Sequence, residues 1–493
     1  MTEKSGTLSR QLGLLGLAAT GICSMLGASV YVVPFMIQRS VPGIGPYVLP
    51  AFALAALPAL LAAAAYAILA SAMPRAGGSY IYASRGLNPY LGFVASFSQW
   101  FGLSIAIGVI SYLIIPFFRD VAVALDWPTV ADWLNTGSIR LGLSLVLLWV
   151  FVGINIIGLR FYERTLIPLM VLMFGLGIVV IIAGFYFSQE AFAEQLLARE
   201  GRTIPDTPNA FSFSTLLTAA ALLFSSFIGF DSIAQAGGEA KRPQRNLPLA
   251  IAIAVLGVGT FYFLFTAAVY QVVPWSFIAE EAMQKDISAP GLLSYVLSPG
   301  WSVVIILGAA IALLNDLPAM LLSVSRLMFA WAEDGIFPKA VARIHPRYQT
   351  PYLAVLLSGG MASIGILGSH LAGDFFLGID IMVTAMLVNF LLMCITVLAL
   401  PHYNPPLAQR VAVFKNRSLQ VVLASAGAVL LLLFLIVHTA KDLQAEVAAW
   451  YFHSTWVWLL VLALASLIFF WKMRQLQGSG VAVDEQFKQL PPE

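Results

Sequence analysis

Three acids, Asp231, Asp316 and Asp380, fall within long apolar runs of this sequence. A carboxylate in a membrane span is costly, so such residues face a cavity or a partner and often take part in ion or proton coupling. Asp316, in LLNDLPAM (313–320), is the most isolated of the three. Its plainer role is that of a helix-packing carboxylic acid. Asp231 has a bracing role as its alternative, and Asp380, near a span end, has solvation. Two small-residue stretches offer a different chemistry, that of exposed backbone. GICSMLGASVYVVP (21–34) places Gly27, Ala28 and Ser29 in mid-run with Pro34 beyond them, and SSFIGFD (225–231) places Ser225, Ser226 and Gly229 ahead of Asp231. Small residues weaken a helix locally, and freed N–H and C=O groups are tolerated in a membrane only where they line a cavity. A half-helix N-terminus suits a carboxylate, and a half-helix C-terminus suits an ammonium group or a small cation. Close helix packing is the other use of such small residues.

The elements that carry these residues are membrane helices. Of 493 residues 60% are hydrophobic and 10% charged, which excludes a soluble globular class. The run from Gln11 to Gln38 has no Lys, Arg, Asp or Glu. Apolar runs predict twelve spans at about 12–38, 46–72, 90–117, 141–159, 165–187, 212–236, 247–273, 301–330, 351–372, 376–400, 418–438 and 455–472. Helices follow because an open strand edge cannot be satisfied in lipid. Of the 26 Lys and Arg, 19 fall on the side of the termini and 7 on the other, which predicts a multi-pass cell-membrane protein with both termini cytoplasmic. No cleavable signal peptide is expected, the tails read as short, and 188–211 and 274–300 read as structured outer loops. The net charge of +2 gives no argument for nucleic acid. Cys23 and Cys394 lie in apolar runs, so no disulfide framework is expected, and Cys23 reads as a small wall residue. No Walker motif, dinucleotide loop, metal-ligand cluster or catalytic constellation is present, so the expectation is a single transport domain that is no enzyme and needs no cofactor.

Runs one and six are corresponding members if the chain is two five-helix repeats, about 11–187 and 212–400, with two helices appended at about 418–472. Paired interruptions of that kind point to a transporter binding site near the bilayer midplane. Here the residues resemble a known family. LGASVY (26–31), PRAGGSYIYASRGLNPYLGF (74–93), GFDSIAQAGGEAKRPQRNLPLAI (229–251) and SRLMFAWAEDGIFPKAVARIHPRYQTP (325–351) are similar, in order, to segments of the amino acid–polyamine–organocation superfamily, with the third most like its cationic amino acid transporter branch. The resemblance implies an all-α fold of twelve helices, five plus five in inverted repeat with two appended and with helices one and six broken. It further implies that the α-carboxylate of an amino acid meets the backbone at Gly27, Ala28 and Ser29. The ammonium group then falls near Ser24, Met25 and the carbonyls of Ser225, Ser226, Phe227 and Ile228, beside Gly229. Asp316 and Asp231 are the coupling-ion candidates. Three departures stand out: Ser29 replaces the usual last glycine of the first break, Ile68 stands where relatives often carry Glu, and Met173 stands where some carry a lysine in place of sodium.

The expected partners are thus an amino acid, a proton or a sodium ion, and the bilayer. The expected activity is alternating-access transport of a neutral amino acid, by proton-coupled symport or by exchange. Polyamine or cationic amino acid transport is the alternative, and a sensor without transport is the reading from another class. Trp100, Phe227 and Phe230 are candidates to line or lid the cavity. Arg326 and Asp334 are candidates for an inner gate, with a solvated face as the alternative.

Overall fold

The computed structural model describes residues 8–27, 29–205, 210–372, 376–447, 449–478 and 483–491. Among these, twelve helical spans are long and apolar enough to cross a membrane: Leu14–Ser40, Gly45–Ala72, Pro89–Ala124, Gly137–Ile157, Leu159–Tyr186, Phe213–Gln235, Pro243–Val272, Gly300–Glu333, Tyr352–Leu371, Leu377–Tyr403, Arg417–Gln444 and Ser454–Gly478. The fold is all-α, with two isolated bridges, Leu12 to Ala240 and Ala76 to Ala236, tying loops together. All twelve expected spans are present, several longer than their apolar runs. The fifth starts at Leu159, because Arg160, Glu163 and Arg164 continue the helix past the apolar stretch. The eleventh is capped by Asn416, whose side chain accepts from the Ser418 and Leu419 amides. Asn88 caps the third in the same way, with Pro89 at the first helical position. Both outer stretches contain helices, Gln189–Glu200 in one and Trp275–Gln284 in the other.

The first, third, eighth and tenth spans are well buried, while the fourth, eleventh and twelfth expose most of their length. Lipid tails are as apolar as leucine, so packing rather than water exclusion holds such helices together. The third and ninth spans accordingly meet through Gly108 and Gly365, each against the other helix's backbone.

Two spans are interrupted. The first is two helices, Leu14–Met25 and Ser29–Ser40, separated at Leu26 and Gly27; Ala28 lies outside the described residues. The sixth is a helix, Phe213–Leu223, a tight turn at Phe224–Phe227, extended backbone at Ile228, and a short helix, Asp231–Gln235.

Both ends of the chain meet on one face, here called the terminal face. Leu12 exchanges backbone hydrogen bonds with the loop after the sixth span, accepting from Lys241 at 2.8 Å and donating to Glu239 at 2.9 Å. The tail residues 483–491 fold back onto the same face. Arg85 donates to the Gln489 carbonyl at 3.1 Å and Asn404 to that of Lys488 at 3.0 Å. Phe487 is buried under the Arg85 guanidinium, 5.0 Å away.

Candidate functional site

The two interruptions lie against each other. A Cβ on Gly229 would sit 2.1 Å from the carbonyl oxygen of Ser24, and the Ser24 and Ser232 hydroxyls are 2.9 Å apart. Gly229 has φ +130°, a conformation that side-chain-bearing residues rarely adopt. The first break faces the eighth span instead: a Cβ on Gly27 would sit 2.0 Å from Asp316 Oδ2. Glycine is therefore required at Gly229, by approach and by backbone angle, whereas at Gly27 a Cβ would have to displace the Asp316 carboxyl.

Around this contact the polar groups are few and specific. Tyr262, from the seventh span, donates its hydroxyl to the Met25 carbonyl at 3.3 Å and hydrogen-bonds to Ser29. It thus caps one of the carbonyls that end the first half-helix. Asn315 donates to Cys23 Sγ at 2.9 Å, and its amide also approaches Met173 Sδ at 3.9 Å. Met173, where the family resemblance would put a lysine in some members, thus neighbours Asn315 of the eighth span. Asp316 Oδ1, Asn315 Oδ1 and Ser226 Oγ are buried without a hydrogen-bond partner among the described residues. An unsatisfied buried polar atom costs about 1–3 kcal/mol. Ser24, Ser29 and Ser225 are half-buried among fully buried neighbours. Phe227 packs on Phe52, 6.1 Å between centroids, and Met25 and Ile228 are likewise buried apolar residues next to the breaks.

The other sequence candidates are placed more widely. Asp231 sits at the start of the short helix after the sixth break and accepts from Gln99 at 2.7 Å. Gln99 also accepts from Ser79 at 2.7 Å and from Asn389, and Gln235 donates to Ser79 at 2.8 Å. This buried web joins the third, sixth and tenth spans at Asp231, whose Oδ1 is left without a partner among the described residues. Asp380 is half-buried near Lys441 and His438 of the eleventh span. Phe230 stacks on Phe390 at 4.8 Å. Trp100 joins an aromatic cluster with Phe97 and Trp331 at 5.5 and 6.0 Å, away from the breaks.

Two buried ion pairs lie beside the loops of the terminal face. Arg326 meets Glu239 at 2.6 and 3.1 Å, and both are essentially inaccessible. Arg85 grips both oxygens of Asp334, at 2.5 and 2.6 Å, and Tyr80 donates to the same carboxylate. The solvated-face alternative for Arg326 and Asp334 is thereby corrected. Their partners come from the loop after the sixth span and the helix before the third, too far along the chain for spacing to reveal. Tyr262, Asn315, Gln99 and Glu239 are the polar residues sequence reading missed. Each is an ordinary residue type in an unremarkable local setting, without a local signal.

Comparison with known proteins shows the family of the chain. The chain is 28% identical to mouse cationic amino acid transporter 4 over 426 residues, covering 81% of this chain and 61% of the relative. It is 26% identical to the branched-chain amino acid permease BcaP of Bacillus subtilis over 451 residues, covering 89% and 90% respectively. It is also 25% identical to the methylthioribose transporter of Bacillus subtilis over 371 residues, 74% of this chain and 76% of the relative. The chain spans 54% and 61% of the human and mouse cationic transporters it matches. A family model described as amino acid permease matches residues 12–470, nearly the whole membrane-spanning part, and the chain belongs to that family.

Proposed function

We propose that this chain is a secondary transporter that moves an amino acid across the cell membrane by alternating access. The observation that carries the reading is the apposition of the two breaks, with Gly229 against Ser24 and Gly27 against Asp316. The interruptions also support two five-helix repeats of opposite orientation, about 11–187 and 212–400, with the last two spans appended. The α-carboxylate is met by the backbone N–H groups beginning the second half of the first span, at Gly27 to Ser29. The ammonium group is met by carbonyls of Ser24, Met25 and Ser225 to Ile228. The excess of Lys and Arg on the terminal face supports its cytoplasmic placement. A neutral substrate side chain fits the apolar residues Met25, Phe227 and Ile228, and BcaP, named for branched-chain substrates, aligns over most of both chains. The second reading, a cationic substrate, is favoured by the relatives named cationic amino acid transporters and by the one acid beside the first break, Asp316.

Counterflow of labelled amino acid in proteoliposomes tests the reading directly. A panel of leucine, isoleucine, arginine, lysine and putrescine separates the substrate classes, and binding without counterflow would instead indicate a sensor. Converting a substrate to its amide or methyl ester is expected to weaken competition about 10- to 100-fold, because charge-assisted bonds to a carboxylate are worth about 1.5–3 kcal/mol. Equal competition by an amino acid and its amide would favour the polyamine reading.

Asp316 is proposed as the coupling group. It lies at the first break, makes no ion pair among the described residues and leaves Oδ1 unsatisfied. A carboxyl that trades a proton on each side suits such a position, whereas sodium would need several oxygen ligands. Asp316→Asn is expected to keep binding and exchange while losing accumulation driven by an inward proton gradient. Accumulation that requires sodium and ignores an imposed pH gradient would replace proton with sodium. Unchanged accumulation by the variant would leave Asp316 a packing acid.

A further inference from the structure

Two cavities meet at the terminal face, and one arginine belongs to both. The first, of about 470 Å3, is lined by Arg10, Arg75, Arg242, Arg245 and Arg410, and its described lining contains no acid. The second, of about 630 Å3, is an apolar groove between the second and seventh spans, walled by Leu60, Ala63, Ala67, Pro248 and Val255 and reaching Phe414. Arg245 lines each. None of the residues at the helix breaks lines either one, so this feature is separate from the substrate site.

Arginines on this face orient the chain wherever they stand. Convergence of five, from four segments, on one cavity goes beyond that requirement. Arg10 and Arg75 have partners of their own, Arg75 with the Pro491 carbonyl at 3.0 Å. Arg242, Arg245 and Arg410 are exposed, and their side chains make no hydrogen bond or ion pair among the described residues. Arg242 and Arg245 stand one helical turn apart, where like charges repel. They also flank the N-terminus of a 30-residue helix, Pro243–Val272, whose dipole adds positive potential at the same point. Two side-chain-bearing residues take positive φ beside the cavities, Arg242 at +45° and Phe414 at +50°. Leu249 and Leu256, also on the groove, are 40% and 57% exposed, as expected of a wall open to lipid.

We propose that the paired cavities hold an anionic phospholipid of the leaflet at the terminal face. Its phosphate lies among Arg242, Arg245 and Arg410, and an acyl chain lies along the groove beside Ala63 and Val255. Charge complementarity selects the head, and continuity through Arg245 with an apolar groove selects a lipid over a soluble anion. Basic pockets between spanning helices are suited to such headgroups.

The test uses the full chain in mixed micelles with chain-matched fluorescent phosphatidylglycerol and phosphatidylcholine, and with inorganic phosphate as competitor. Phosphatidylglycerol is expected to bind at least about tenfold more tightly than phosphatidylcholine, and the Arg245→Gln/Arg410→Gln double variant to lose that preference. Ala252→Phe, at an exposed position on the groove, is expected to weaken phosphatidylglycerol binding while the protein keeps its melting temperature and elution profile. Equal binding of the two lipids, or a preference indifferent to the arginine variant, would overturn the proposal. So would phosphatidylglycerol binding that millimolar inorganic phosphate displaces and Ala252→Phe leaves intact, which marks a free-anion site.

Discussion

Gly229→Ala is expected to lower substrate affinity by at least ~100-fold, since a strained φ costs about 1–3 kcal/mol even before any clash is counted. The new Cβ would lie 2.1 Å from the Ser24 carbonyl oxygen, 2.4 Å from its carbon and 2.8 Å from the Met25 amide nitrogen. All three are backbone atoms, so no rotamer change relieves the contact. The two broken spans must move apart, and the carbonyls proposed to meet the ammonium group move with them. Gly27→Ala makes an informative contrast. Its Cβ would meet only the Asp316 carboxyl, a side chain able to turn aside. The glycine variant should therefore be milder, and adding Asp316→Ala should recover part of its lost binding, the signature of direct coupling between neighbours. Scintillation proximity binding on monodisperse protein reads each case. Affinity within about threefold of the parent in folded Gly229→Ala would remove the broken-helix site from consideration.

Arg326→Ala is expected to be the most destabilising of the gate substitutions. It leaves Glu239, inaccessible to solvent, without its only ion-pair partner among the described residues, a change that costs about 3–5 kcal/mol. The pair Arg326→Met/Glu239→Gln removes both charges and should recover most of that loss in a thermal melt. The melts separate a buried pair from a hydrated one, for which both variants would melt near the parent. If the pair also closes the terminal side, the double variant should fold yet admit a membrane-impermeant thiol reagent, applied from that side, to a cysteine placed at Ser24. An unreactive cysteine would assign the closure to Arg85 and Asp334 instead.

The parts legible in the sequence were those carried by local composition. Gly27 and Gly229 announce the breaks because a small residue in mid-span is conspicuous against leucine and valine. Asp316 announces itself because a lone acid in such a span is rare. The placement of Gly27 beside Asp316 came from the structure. What sequence could not supply was pairing across distance. Glu239 and Arg326 are 87 positions apart, and each alone resembles a charge at a solvated surface. Tyr262 looks like any aromatic of a lipid-facing helix until its hydroxyl is found on the Met25 carbonyl. Helix ends ran past their apolar runs at Leu159 and Gln444 because hydrogen bonding continues into charged residues that hydropathy discounts.

In the proposed site the breaks present main-chain groups where a more ordinary pocket would present side chains, and this bears on inheritance. Every residue supplies a main-chain carbonyl and every residue but proline a main-chain N–H, so few substitutions can delete such a contact. In a site so divided, the grip on the part common to all amino acids is insulated from drift at the walls. Residues such as Met25, Phe227 and Ile228 are then free to change and to redirect selectivity while the shared grip persists. A lineage built on this plan can acquire new cargo by small steps, each ancestor remaining a working carrier. The cationic and branched-chain amino acids named among the relatives are the outcome such an arrangement would produce.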